Sequence, residues 1–158
     1  MGCGKSYVGR NLAPLLGFDY VDIDKYIEEK EGLTVKEIFE QKGEDYFRLA
    51  EKDFIQQLDA GQNLVVSTGG GAPCFFDNME VMNEKGLTIY LNRNKEKVIW
   101  RLLKGQYKRP LIANLNQDEL EKFYDERLES RKPFYEKAKL HVGDATVEEI
   151  VEMLKENP

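Results

Sequence analysis

Four short apolar runs, at residues 18–22, 64–68, 87–91 and 140–142, alternate with stretches of helical spacing, and no other feature of the sequence narrows the possible folds as far. Runs of three to five residues bounded by glycine and polar residues read as buried strands rather than helices. Between them the apolar residues recur at three- and four-residue intervals. Residues 5–16 carry Val8, Leu12, Leu15 and Leu16 on one face and stop at Gly17. Thr34 with Glu37 forms a capping box for a short helix ending near Gly43, and 44–58 continues as a longer amphipathic helix. A short helix at 79–83, one capped by Asn94 that carries Lys97 and Arg101, one at 117–129, and a last one capped by Thr146 and Glu149 complete the series. Strands separated by helical crossovers imply a parallel sheet covered on both faces, a three-layer α/β/α fold. Gly9 interrupts the first helix at a cost of about 1 kcal/mol relative to alanine, which predicts close packing against a strand there.

The chain is 158 residues long and shows no repeat, low-complexity tract or composition shift, so residues 1–158 read as one domain. With 41% hydrophobic and 33% charged residues it has no apolar run near the roughly 20 residues of a membrane span, and no secretory signal pattern is visible. A net charge of −6 argues against a broad nucleic-acid-binding face. An anionic ligand must therefore meet a local basic cluster. Cys3 and Cys74 have no paired spacing, which indicates reduced thiols and a cytoplasmic protein; Cys3 reads as a small filler residue before a redox sensor. The only histidine, His141, reads as packing rather than chemistry.

Met1-Gly2-Cys3-Gly4-Lys5-Ser6 matches the second half of the pattern G-x-x-x-x-G-K-[ST], in which backbone N–H groups and a lysine cradle phosphates while the hydroxyl ligates magnesium. A lysine in the first turn of a helix is unfavourable unless an anion faces it, so Lys5 favours the phosphate reading over a solvated surface lysine. The first glycine of the pattern and the strand that normally feeds it do not precede Met1. That strand belongs in the middle of the sheet, and burying its side chains contributes on the order of 10 kcal/mol. The expectation is an internal methionine at position 1, a natural start about ten residues earlier, and a central first strand absent from this chain.

Further along come Asp22-Ile23-Asp24, Phe47-Arg48, Gly69-Gly70-Gly71-Ala72, Arg109-Pro110-Leu111 and Ser130-Arg131-Lys132-Pro133-Phe134-Tyr135. Taken singly, each has an ordinary reading: an acidic strand end, surface arginines in ion pairs, a flexible turn. In this order and at these separations, the series resembles the shikimate kinases over essentially the whole chain. The departures are the missing first strand, Tyr7 where the family usually has a hydroxyl residue, and a C-terminal segment without a close match.

The resemblance implies a P-loop fold of the nucleoside-monophosphate-kinase type, with substrate-binding helices at about 24–59 and a lid at about 105–117. It implies transfer of the γ-phosphoryl group of ATP, with Mg²⁺, to the 3-hydroxyl of shikimate. Lys5, Asp24 and Arg109 would be catalytic: Lys5 on the β and γ phosphates, Asp24 on the attacking hydroxyl, and Arg109 brought onto the phosphates when the lid closes. Gly2, Cys3, Gly4, Lys5, Ser6, Tyr7 and Arg109 would hold the nucleotide, and Ser6 with Asp22 the metal. Asp24, Arg48, Gly69, Gly70, Gly71 and Arg131 would hold shikimate, the two arginines through its carboxylate, since a guanidinium fork can donate two parallel hydrogen bonds. Arg101 and Lys108 either assist or form a solvated basic face, and Phe39, Phe47, Pro110 and Leu111 either pack around the ring or serve as core and hinge. The partner set is a small-molecule substrate with no nucleic acid and no membrane, and the protein is expected to be a monomer. Another P-loop kinase of small hydroxy acids such as gluconate, an inactive shikimate-binding paralogue, and an inactive fragment are the competing readings.

Overall fold

In the computed structural model, which describes residues 2–157, the alternation seen in the sequence is realised as eight α-helices and four strands; Met1 lies outside the described residues. Helix α1 (Lys5–Leu16) leads to β1 (Asp19–Asp22), and α2 (Ile23–Glu31), α3 (Val35–Lys42) and α4 (Glu44–Gln57) follow before β2 (Leu64–Ser67). Then come α5 (Asn78–Lys85), β3 (Ile89–Leu91), α6 (Lys95–Lys104), α7 (Gln117–Tyr135), β4 (Leu140–Val142) and α8 (Val147–Glu156). The capping boxes at Thr34/Glu37 and Thr146/Glu149 form, and Asn116 with Glu119 makes a third.

Strands β1 and β2 pair in parallel with Asp22 beside Ser67, and β3 and β4 pair in parallel with Leu91 beside Val142. Among the described residues the two pairs are not hydrogen-bonded to each other. A cavity of about 810 Å³ separates them, lined by Val8 and Leu12 of α1, Val66 of β2, Ile89 and Leu91 of β3, and Ile150 of α8. β2 and β3 thus each turn an unpaired edge toward the same apolar space. Cys3 and Lys5, at the start of α1, also border this space.

Three apolar clusters hold the helices. Val8 and Leu12 of α1 meet Val142 of β4 and Val147, Ile150 and Val151 of α8, which packs α8 against α1 and β4. Ile23, Ile27, Ile38, Phe47, Ile55 and Ala72 join α2, α3 and α4 into one unit beside the strand ends. Val98, Ile99, Leu102, Ile112 and Leu120 join α6 and α7 through the connection between them. That connection, expected to be a loop with no regular structure, is partly ordered: Gln106–Lys108 forms a 3₁₀ turn, Ile112 is fully buried, and the Gln106 amide donates to the carbonyls of Ile112 and Leu115. Two further expectations change. Helix α7 runs through Pro133 to Tyr135, so the Ser130–Tyr135 motif lies on it rather than beyond its end. His141 is exposed on β4 against the edge of Tyr90, not packed in the core.

Gly9 has the close approach its position implied. A Cβ there would collide with Ser67 Oγ and come within 2.7 Å of Tyr20 Cε2. Ser67 Oγ in turn donates to the Lys5 carbonyl at 3.0 Å, tying β2 to the start of α1. Gly9→Ala is expected to destabilise the protein by about 1–2 kcal/mol, the strain of overpacking exceeding the gain in helix propensity. The midpoint of thermal unfolding should fall by roughly 2–8 °C. An unchanged or raised midpoint would mean that α1 does not press on the sheet in this way.

Candidate active site

The site grows from the C-terminal ends of β1 and β2, the usual place for a ligand crevice in a parallel sheet. At its floor, Gly2 and Gly4 take left-handed backbone conformations with φ of 71° and 83°. A Cβ on Gly2 would press on Leu102 and Val98, so the loop lies directly against α6. Gly4 caps α1 without a side chain, and the N–H groups of Lys5, Ser6 and Tyr7 have no intrahelical acceptor. Three open donors and the positive end of the helix dipole make this a place for an anion, with the Lys5 ammonium beside it and Arg101 3.5 Å from the point where a Gly4 Cβ would be. Cys3 contributes only a weak contact, its sulfur 3.9 Å from Lys5 Nζ. The Tyr7 ring is 67% exposed and points to solvent, so only its backbone belongs to the loop.

Asp22 ends β1 and caps α2, accepting from the Lys25 N–H at 3.2 Å through one oxygen and from Ser6 Oγ at 2.8 Å through the other. Asp24 lies in the first turn of α2 rather than at the strand end, and this turn swings its carboxylate over the glycine turn after β2. A Cβ on Gly69 would stand 2.8 Å from Asp24 Oδ1 and 3.3 Å from Glu51 Oε2. Burial, and next the negative charge of Asp22, hold the Asp24 carboxyl above the ordinary aspartate range, although Lys5 and Arg48 pull the other way.

Arg48 and Glu51 occupy the apolar stripe of α4 beside Phe47 and Ile55. The Arg48 guanidinium donates to Glu51 Oε1 at 2.7 Å from Nη1, and to Glu44 Oε1 at 3.2 and 3.0 Å from Nε and Nη2. It stacks 4.3 Å from the centre of the Phe75 ring and presses so closely on Gly71 that no Cβ would fit there. Glu51 is fully buried and its second oxygen has no partner; desolvation raises its pKa despite the arginine. Arg131, on α7, makes no ion pair among the described residues, yet its charge bears on Glu51, Cys74 and Tyr135. The Gly70 and Gly71 N–H groups donate to no acceptor within the described chain.

The structure thus gathers Gly2, Gly4, Lys5, Ser6, Asp22, Asp24, Arg48, Gly69, Gly70, Gly71 and Arg131 around one crevice. Arg109 is the exception. Its guanidinium folds back over Gly105 and makes no contact with the phosphate loop, and Leu111 beside it is exposed. Phe39 and Phe47 meet edge to face, with Phe47 in the core and Phe39 at its rim. Sequence reasoning missed Glu44, Glu51 and Tyr135. Glu51 and Glu44 had a signal, carboxylates three residues after and four residues before Arg48 on one amphipathic helix; Tyr135 is legible only in three dimensions.

Chemically, the crevice offers an anion cradle at the end of α1, a carboxylate beside it, and guanidinium groups with free amides opposite. The family model for shikimate kinase matches residues 1–157. Among similar proteins, the shikimate kinase of Parabacteroides distasonis is 43% identical over 140 residues, covering 89% of this chain and 81% of that protein. That of Persephonella marina is 44% identical over 143 residues, covering 90% and 84%. The crystal structure of shikimate kinase from Bacteroides thetaiotaomicron superposes with a TM-score of 0.89 at 38% identity, covering 99% of this chain and 93% of that one. Shikimate kinase from Acinetobacter baumannii in complex with shikimate superposes with a TM-score of 0.85 at 34% identity, covering 99% and 89%. A family match running the length of the chain, together with relatives of this identity and coverage, shows that the chain belongs to the shikimate kinase family.

Proposed function

We propose that the residues around Asp24 carry the family's reaction, moving the γ-phosphoryl group of ATP to the 3-hydroxyl of shikimate. The observation that carries this reading is the convergence of Asp24, Glu51 and Arg48 on the glycine turn after β2, within reach of the anion cradle formed by Gly2–Tyr7. Phosphoryl transfer has a loose transition state, so catalysis is chiefly positioning and neutralisation of charge. Lys5 and the open N–H groups of α1 hold the phosphates. Asp24 orients the attacking hydroxyl and takes its proton as the new bond to phosphorus forms; a carboxyl held above its ordinary range is a better acceptor at neutral pH than an unperturbed one. Arg48 and Arg131 bind the substrate carboxylate, and the amides of Gly70 and Gly71 donate to ring oxygens.

Ser6 and Asp22 stand 2.8 Å apart and present oxygen atoms only, a donor set suited to a hard cation. Mg²⁺ takes few protein ligands and keeps substrate phosphates and water, so two such oxygens would suffice to hold it. When bound, Mg²⁺ supplies charge neutralisation on the phosphate oxygens. Arg109 reaches the phosphates by movement of the segment at about 105–117, which in this role is a lid over the single domain 1–158 and excludes water from the closed site. The helices at about 24–59 form the substrate-binding part. The protein works as a cytoplasmic monomer without nucleic-acid or membrane partners; no helix of the described residues is long and apolar enough to cross a membrane.

ADP release coupled to a spectrophotometric readout, with MgATP and with or without shikimate, tests the reaction. Turnover that depends on shikimate and not on gluconate is expected; release indifferent to shikimate sinks the reading. Arg48→Lys, which keeps the charge and loses the fork, should raise the KM for shikimate about tenfold or more while leaving that for ATP within about twofold. Equal losses for both substrates would remove the carboxylate assignment.

Asp24→Asn separates catalysis from stability. Because the folded-state pKa of Asp24 is raised, the folded protein binds this proton more tightly than the unfolded chain does. The ionised carboxylate therefore works against folding at neutral pH, and its contribution to stability declines as pH rises through the carboxylate range. The variant should lose turnover by about 10²-fold or more, yet unfold at an equal or slightly higher temperature at pH 7. Normal turnover would exclude Asp24 as base and as hydroxyl anchor.

A further inference from the structure

Tyr135 is the last residue of α7, one helical turn beyond Arg131, so the two side chains leave the same face of the helix. Its hydroxyl donates to the Gly70 carbonyl at 2.5 Å, across 65 residues of sequence. The ring is backed by Tyr90, with centroids 5.3 Å apart, and burial pushes the phenol up to about 12, so it remains a protonated donor at any pH at which the protein is assayed. The Gly70–Gly71 peptide is trans, since the described residues contain no cis bond. In a trans peptide the carbonyl and the following N–H point in opposite directions. A hydroxyl that holds the Gly70 carbonyl therefore also fixes the Gly71 N–H, which points away from that hydroxyl and has no acceptor within the described chain. Three successive glycines would otherwise leave this peptide free to rotate.

We propose that Tyr135 is a positioning residue: through the Gly70 carbonyl it locks the glycine turn with the Gly71 amide aimed at the substrate, and it ties that amide to the helix carrying Arg131. The inference rests on the functional reading above. Through this link the turn after β2 and the guanidinium on α7 move as one unit, and both sides of the substrate pocket are set by a single hydroxyl. Cys74 does not substitute for it, because its thiol is 3.9 Å from the same carbonyl and is a weak donor.

Tyr135→Phe removes the hydroxyl and keeps the ring against Tyr90. Calorimetric titration of wild type and variant with shikimate, and separately with a non-hydrolysable ATP analogue, is the test. The variant is expected to bind shikimate about three- to tenfold more weakly and the nucleotide within twofold of wild type. In protein labelled with ¹⁵N-glycine, the shift that shikimate induces in the Gly71 amide should shrink. A shikimate affinity equal to wild type overturns the proposal, as does a parallel loss for both ligands with a lowered unfolding temperature, which would make Tyr135 a general structural support. Wild-type protein that binds the nucleotide but not shikimate would overturn the functional reading itself, and the positioning role with it.

Discussion

Everything in the crevice depends on keeping charge where water is scarce. Glu51 is fully buried with one oxygen unpartnered, and it is tolerable there only because Arg48 lies against it at 2.7 Å. That pairing fixes the guanidinium in one place, over Gly71 and against the Phe75 ring. With the guanidinium fixed, position 71 has no room for a Cβ. With Asp24 and Glu51 both leaning on the same turn, position 69 has little more. The glycines after β2 are thus required twice, to let the backbone approach a ligand and to let the buried charges approach the backbone. Such a cluster adds little net stability, since breaking even against desolvation is the common outcome for buried pairs. What it supplies is a guanidinium whose position no longer depends on solvent.

The second dependence is on the sheet. Asp22 and Asp24 follow β1, the glycine turn follows β2, and the β1–β2 register sets Asp22 beside Ser67. Ser67 reaches back to the Lys5 carbonyl, and Ser6 reaches across to Asp22. The start of α1 is therefore held by both strands through hydroxyl contacts, and a slip of one residue in the ladder would turn these side chains to the opposite face. Gly9 makes the same point sterically, because α1 can lie this close to Tyr20 and Ser67 only without a side chain there.

Local chemistry and periodicity made much of this legible in advance. The order of strands and helices, the capping boxes and the role of Gly9 follow from patterns that operate over a few residues; that the motif residues share a site was implied only by the family resemblance. Where tertiary contacts decided the outcome, the sequence was a poorer guide. The segment after α6 lacks a period and reads as a loose loop, yet one residue, Ile112, fits between α6 and α7 and orders it. Pro133 withholds the N–H that would bond the Glu129 carbonyl, yet α7 continues two residues past it to Tyr135. Arg109 is placed by packing within its own segment, not by the distant phosphate loop its motif suggests. Tyr135 earns its place from a partner that no spacing rule connects, a glycine carbonyl 65 residues away, whereas Glu44 stands one helical turn before Arg48, a spacing that could have been read.

An acidic protein that handles a nucleotide and a carboxylate looks at first like a contradiction, since its net charge is −6 and both ligands are anions. Distance resolves it. At physiological ionic strength, exposed charges more than about 8 Å apart are largely screened from one another. Much of the excess acid lies on outer helix faces, often beside lysines one helical turn away, as in Lys36–Glu40 and Lys122–Glu126, where its field is spent locally. Inside the crevice cations stand among the acids: the Lys5 charge bears on Asp24, and Arg48 pairs with Glu51 and Glu44. Arg48 is buried and Lys5 and Arg131 are half-buried, so each cation acts on a ligand at short range. The ligand meets those cations at contact and the acidic outer surface only through salt solution, so the sign of the whole molecule governs its solubility and the placing of the cations governs what it binds.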